Sequence, residues 1–199
     1  LAWADGIALD VENRGVAGDT NWVEANRFAW DAATEPAPDL VVFYDGVNDR
    51  GAAFGRTQRG DLDPDHSVRL TTSAEEKTLL DRSWPARADA DLELANHLAA
   101  TQYRRGVLTA RSLAAAAGVK VRHFWQPDLN TKRYAPADEG AWSRMGAAPP
   151  TPLGSVWVDP VLPLADVDVT DLTHALDDVR VPVFLDWGHT NELGARVVA

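Results

Sequence analysis

Leu40-Val41-Val42-Phe43-Tyr44, set between Pro38-Asp39 and the turn Asp45-Gly46-Val47-Asn48-Asp49, is the stretch whose reading decides the fold. Its five apolar residues are mostly β-branched or aromatic and fill the length of a strand. A continuous run of this kind fits a strand buried in a parallel sheet. A second such run, Val119 to Trp125, follows Gly118 and stops at Pro127. Ala8 to Glu12 is a third strand candidate, ahead of Asn13 and a glycine-bearing turn. Ser155 to Val158, Val167 to Val169 and Val181 to Leu185 are weaker ones.

Helical patterns fall between these runs. Asn21 to Ala33 carries Trp22, Ala25, Ala29 and Ala32 at helical spacing. Ser73 to Glu76 has the form of a capping box opening a helix toward Trp84. Ala88 to Ala117 is rich in alanine and leucine and predicts one helix, or two with a break near Gly106. Thr190 or Asn191 caps a last helix, Glu192 to Val198. Strands alternating with helices imply βαβ units, and therefore an α/β fold with a parallel sheet covered on both faces. Arg50 to Thr72 and Asn130 to Gly154 are the least regular stretches and read as active-site loops. No internal repeat is present.

The 199 residues fit a single domain, 1–199, and the 45% hydrophobic content supplies a core. A net charge of -11 repels phosphate backbones, which argues against a nucleic-acid partner. No run approaches the roughly 20 apolar residues of a membrane span. Leu1 follows no initiator Met, basic region or signal-like stretch, so the chain reads as starting at a cut. Cysteine is absent, which removes disulfides, cysteine nucleophiles and thiolate metal sites. That leaves the compartment open, leaning extracellular or cell envelope, because many secreted enzymes also lack cysteine.

Three clusters bear on chemistry. In Phe184-Leu185-Asp186-Trp187-Gly188-His189-Thr190-Asn191, a short strand ends in a carboxylate and a tight turn leads to a histidine before a helix. The spacing lets Asp186 reach Nδ1 of His189 and leaves Nε2 free to take a proton; alone, the pattern equally describes a surface turn. Gly46-Val47-Asn48-Asp49 stands at the carboxyl end of the clearest strand, where α/β sheets bind ligands. The short amide of Asn48 can donate to a developing oxyanion there. Asn13 to Asn21 links the third strand candidate to a helix, and Gly18 can turn its N–H toward an anion. It has neither the glycine pattern of dinucleotide sites nor that of a phosphate loop.

Taken together, the three clusters resemble the sequence blocks of the SGNH (GDSL-type) hydrolases. Gly18 matches the oxyanion-hole glycine of the family's second block. Gly46-Val47-Asn48-Asp49 matches the third, Gly-x-Asn-Asp, and Asp186-Trp187-Gly188-His189 matches the last, Asp-x-x-His. The resemblance implies a three-layer α/β/α sandwich with a parallel, flavodoxin-like sheet. It also implies a serine esterase or lipase acting on lipid, acyl or O-acetyl sugar esters without metal or organic cofactor. His189 and Asp186 would be catalytic, Gly18 and Asn48 would form the oxyanion hole, and Asp49 stands in the matched third block. Apart from the resemblance, Gln126, at the same sheet edge as the blocks, and Trp187, inside the last one, are candidates for lining the substrate site, although Gln126-Pro127 also reads as a strand-ending proline turn.

The family's first block, Gly-Asp-Ser with the nucleophilic serine, is absent. Gly18-Asp19-Thr20 imitates it, but reading it so leaves no second block before Gly46. The expectation is therefore a serine and a first strand upstream of Leu1, in a segment of roughly 25–30 residues, the length of a βα unit. The same blocks without a serine describe a non-catalytic domain that binds a glycan or envelope component.

Other residues point less far. His66, His97, His123 and His174 lack metal-ligand spacing. Asp61, Asp63 and Asp65 lack the glycine and distal glutamate of a calcium loop. Of the eight tryptophans, Trp22, Trp125 and Trp187 lie near the blocks and could stack on a sugar or acyl chain, though core packing suits most of them.

Overall fold

A computed structural model of the chain describes residues 2–4, 7–59, 92–129, 131–133, 136–144 and 166–199. In chain order they form β1 (Ala2–Ala4), β2 (Ile7–Leu9), α1 (Asn21–Thr34), β3 (Leu40–Asp45) and α2 (Val47–Arg59). Then come α3 (Leu92–Ala117), β4 (Lys120–Trp125), α4 (Glu139–Arg144) behind a 3-10 turn at Pro136–Asp138, β5 (Thr170–Asp171) and α5 (Glu192–Val198).

The fold is mixed α/β around a parallel sheet in the order β3-β4-β5. Leu40 pairs with Lys120 and the register runs unbroken to Asp45 with Trp125. Alternation along the strands gives the sheet two unlike faces. Phe43 and Asp45 of β3, with His123 and Trp125 of β4, are buried. Phe43 packs with Ala25 and Phe28 of α1 and Ala110 and Ala114 of α3, so these two helices cover that face. Leu40, Val42 and Tyr44 on the other face are exposed, at 49%, 55% and 41%.

The predicted parallel strand at 8–12 is corrected. Only residues 7–9 are extended, and they pair antiparallel with β1 rather than joining the sheet. The run's polar part, Asp10 and Glu12, stays exposed, and Glu12 pairs with Arg14. At 167–169 the extended stretch slips to β5, and at 181–185 a single bridge, Phe184 with Thr190, replaces a strand. The predicted helix at 73–84 and strand at 155–158 lie outside the described residues.

The stretch read as a loop from Arg50 begins as helix α2, whose Ala53 packs on Leu98 and Ala99 of α3. The 130–154 stretch likewise holds the 3-10 turn and α4. The break near Gly106 does not occur. Helix α3 runs through it because Gly106 is a crossing point: a Cβ there would stand 1.9 Å from Asn21 Oδ1 of α1. Among the described residues, no helix is long and apolar enough to cross a membrane.

Candidate functional site

The carboxyl ends of β3 and β4 bring two loops side by side. Gly46 follows β3 with φ 122°, a conformation favouring glycine, and a Cβ on it would lie 2.8 Å from the Trp125 ring. The chain then enters α2, with Arg50 N–H donating to Gly46 O at 3.0 Å. Asn48 therefore sits in the first turn of α2, where its Nδ2 donates to Asp19 O at 2.9 Å. This bond ties the Gly18 loop to the strand end. Gly18 is buried with φ 83°, and the buried Asp19 is held by Arg27 of α1.

The third segment is the Asp186 loop. Oδ1 of Asp186 accepts the N–H of Gly188 at 2.9 Å and of His189 at 2.8 Å. Nδ1 of the His189 ring lies 3.0 Å from Oδ1 and 2.8 Å from Oδ2. Burial pulls the Asp186 carboxyl up, but the two backbone donors and the imidazole together outweigh it and hold it below the usual carboxylate range. An ionised Asp186 selects the imidazole tautomer with its proton on Nδ1. Nε2 meets no protein partner among the described residues. The arrangement thus orients the ring with Nδ1 toward the carboxylate and its free nitrogen outward, the placement a base needs.

The loop is tied to its surroundings through consecutive carbonyls. Arg144 of α4 donates from Nη2 to Phe184 O and from Nε to Leu185 O, both at 3.0 Å. Leu129 N–H reaches Trp187 O at 2.8 Å, and Gln126 Nε2 reaches Gly188 O at 3.3 Å. Gly188 packs so closely on α2 that a Cβ would fall 2.6 Å from Val47 Cγ1.

A cavity of about 260 Å³ opens where these pieces meet, lined by Tyr44, Val47, Asn48, Gln126, Gly188 and His189. Thr190 adds to its wall. Asn48, Gln126 and His189 thus share one pocket, with Asp186 directly bonded to His189. Gly18 is not in the lining and connects to it through Asp19 and Asn48. Trp187 is partly buried and engages Leu129 through its carbonyl. Tyr44, which the sequence reading missed as a site residue, keeps its proton: burial pushes its hydroxyl up to about 12. Strand parity was the available signal, because Tyr44 shares its face with Leu40 and Val42 rather than with buried Phe43.

Asp49 turns inward, away from the pocket. Both its oxygens accept Asn21 N–H at 3.2 Å, and Asn21 Nδ2 donates to Asp45 at 2.9 Å. Glu24, one turn along α1, completes a buried group of carboxyls beneath the Asn48 turn. Burial, then the Asp45 charge, pushes Glu24 up to about 9, and its retained proton bonds Asp45. Burial raises Asp45 to about 6 against the hydrogen bonds from Asn21 and Glu24. Asp49 is held well above the ordinary carboxylate value by burial and by Asp45. Burial and the same three acids raise Tyr103 of α3, whose hydroxyl donates to Phe124 O at 3.2 Å.

The chain matches no protein-family model and no curated protein.

Proposed function

We propose that this chain is part of a carboxylic ester hydrolase of the SGNH (GDSL-type) kind, built on a three-layer α/β/α sandwich with a flavodoxin-like sheet. The observation that carries the reading is the bond of Asp186 to His189 Nδ1 at 2.8 Å in a loop that shares one pocket with Asn48. A base with its orienter and an amide donor are the parts that acyl transfer needs besides a nucleophile.

The nucleophile is a serine preceding Leu1. Its Oγ attacks the ester carbonyl carbon while His189 Nε2 takes the hydroxyl proton. The carbonyl oxygen becomes an oxyanion, met by Asn48 Nδ2, while the Gly18 loop acts through the bond from Asn48 to Asp19 O. Asn48 has two N–H donors, so the one spent on Asp19 leaves one for the substrate. Collapse breaks the bond to the alkoxide, which takes the proton back from His189 and leaves as an alcohol. Water then repeats the sequence on the acyl-serine and releases the acid. The imidazolium formed in each half is stabilised by Asp186.

Asn48→Ala in the full-length protein is expected to lower kcat on a short-chain aryl ester by about 10²–10³. An unchanged kcat would remove Asn48 from the reaction. A fluorophosphonate reagent should label one serine upstream of Leu1, detected by peptide mass spectrometry. A labelled residue elsewhere, or none, defeats the serine-esterase reading and leaves the glycan-binding alternative.

A further inference from the structure

Asp186 can serve His189 only while the backbone leading into it is fixed. The two peptide carbonyls immediately before it, Phe184 O and Leu185 O, are both engaged by the guanidinium of Arg144, from Nη2 and Nε at 3.0 Å each. Nε and one Nη of an arginine form a rigid two-pronged edge, which lysine lacks. Charge-assisted bonds of this kind are stronger than those between neutral groups. The Leu185 peptide is held at its other end as well, its N–H donating to His189 O at 2.8 Å.

The platform that carries the arginine is firm. Ala141 and Trp142 of α4 are buried with Leu129, Leu176, Val183 and Phe184 in one apolar cluster. The buried Lys132–Asp138 pair anchors the 3-10 turn that leads into the helix. Arg144 thus reaches from a packed helix to the two peptides from which the Asp186 carboxylate departs. The other outside ties meet the loop after Asp186, at Trp187 O and Gly188 O.

We propose that Arg144 is a positioning residue for the Asp186–His189 couple, setting the carboxylate so that it holds the proton of His189 on Nδ1. The inference rests on the ester-hydrolase reading for its kinetic readout only. Its spectroscopic readout does not need turnover.

The test uses the full-length protein with Arg144→Met, which keeps an apolar stem without donors, and Arg144→Lys, which keeps the charge without the fork. Long-range ¹H–¹⁵N correlation spectra with the imidazoles neutral report which nitrogen of His189 carries the proton. The wild type is expected to show the Nδ1–H form. Arg144→Met should return His189 to a mixture with Nε2–H, lowering kcat on an aryl ester by about 10–100-fold with KM little changed. Arg144→Lys should fall between the two. An Arg144→Met protein with wild-type tautomer and kcat overturns the proposal and leaves the hydrolase reading intact. A wild type without the Nδ1–H form overturns both. If Arg144→Met fails to fold, Arg144→Lys decides: a tautomer and kcat equal to wild type would show that the fork is not needed.

Discussion

Replacing Glu24 by glutamine removes one ionisable group from beneath the Asn48 turn while keeping a donor for Asp45. Burial and Asp45 raise the Glu24 carboxyl from 4.5 to about 9, so the folded protein keeps a proton that the unfolded chain gives up. Stability from this group is complete below about pH 4.5 and is lost as the pH rises toward 9. Each pH unit between the two titrations corresponds to about 1.36 kcal/mol. Glu24 is still partly open to water, which screens it. About half of the nominal span gives roughly 3 kcal/mol at pH 9, a large share of the ~5–15 kcal/mol that holds a domain together. With a urea dependence of about 2 kcal/mol per molar, that is a midpoint shift of roughly 1.5 M. Urea unfolding followed by tryptophan fluorescence should show Glu24→Gln gaining on the wild type steadily from pH 4 to pH 9. A difference between the two proteins that is the same at both ends of that range would refute the buried-proton argument.

Two further outcomes follow from other contacts. Gly188→Ala drives a Cβ to within 2.6 Å of Val47 Cγ1, so it should displace His189 from Asn48 and lower kcat by about 100-fold. Adding Val47→Ala should recover part of that loss, and a double variant as slow as the single one would show that the contact is not the cause. His123 is buried, stacked on Phe43 at 4.7 Å, and its ring nitrogens have no hydrogen-bond partner among the described residues. Burial, then Arg111, lowers it from 6.5 to about 4, so stability should fall as the pH drops from 6.5 to 4, by up to about 3 kcal/mol. His123→Phe should flatten that slope in acid unfolding monitored by circular dichroism; an unchanged slope would assign the acid sensitivity elsewhere.

How far the sequence could be read depended on whether a residue's role was local. Leu40 to Tyr44 and Lys120 to Trp125 announce themselves as strands because the richness of a short run in β-branched and aromatic residues is written in the run itself, whereas the exposure of Leu40, Val42 and Tyr44 is not. Helix α1 is legible through the spacing of Trp22, Ala25, Ala29 and Ala32. Helix α2 is not: Gly51 and Gly55 lower its intrinsic helicity, and it stands by packing Ala53 against α3. Gly106 misleads for the opposite reason, since glycine there answers a neighbouring helix rather than ending its own. In the site, Asp186 and His189 are legible because the carboxylate and ring meet over three residues, and Asn48 because it directly follows a strand end. Arg144 acts on carbonyls some forty residues away, and no local pattern in Trp142-Ser143-Arg144 records that. Asp49 reads like a site residue from its place in the block, yet its side chain faces Asn21. The turn sets position and not the direction of the side chain.

The bonds that define the Asp186–His189 couple all span three residues or fewer. Contacts that short close faster than the roughly 10–100 ns of a loop of about ten residues in a flexible chain. Asn48 reaches the same pocket only after β3 and β4 have paired across the whole of α2 and α3, a slow and non-local event. The couple and the amide donor therefore belong to different stages of folding. A chain whose β3–β4 register has slipped would still close these short contacts wherever Arg144 holds the backbone before Asp186, with no Asn48 opposite them. Intact His189 geometry is therefore a poor gauge of a folded site, whereas the contact of Gly188 with Val47 is a good one, because it exists only once the two halves have met.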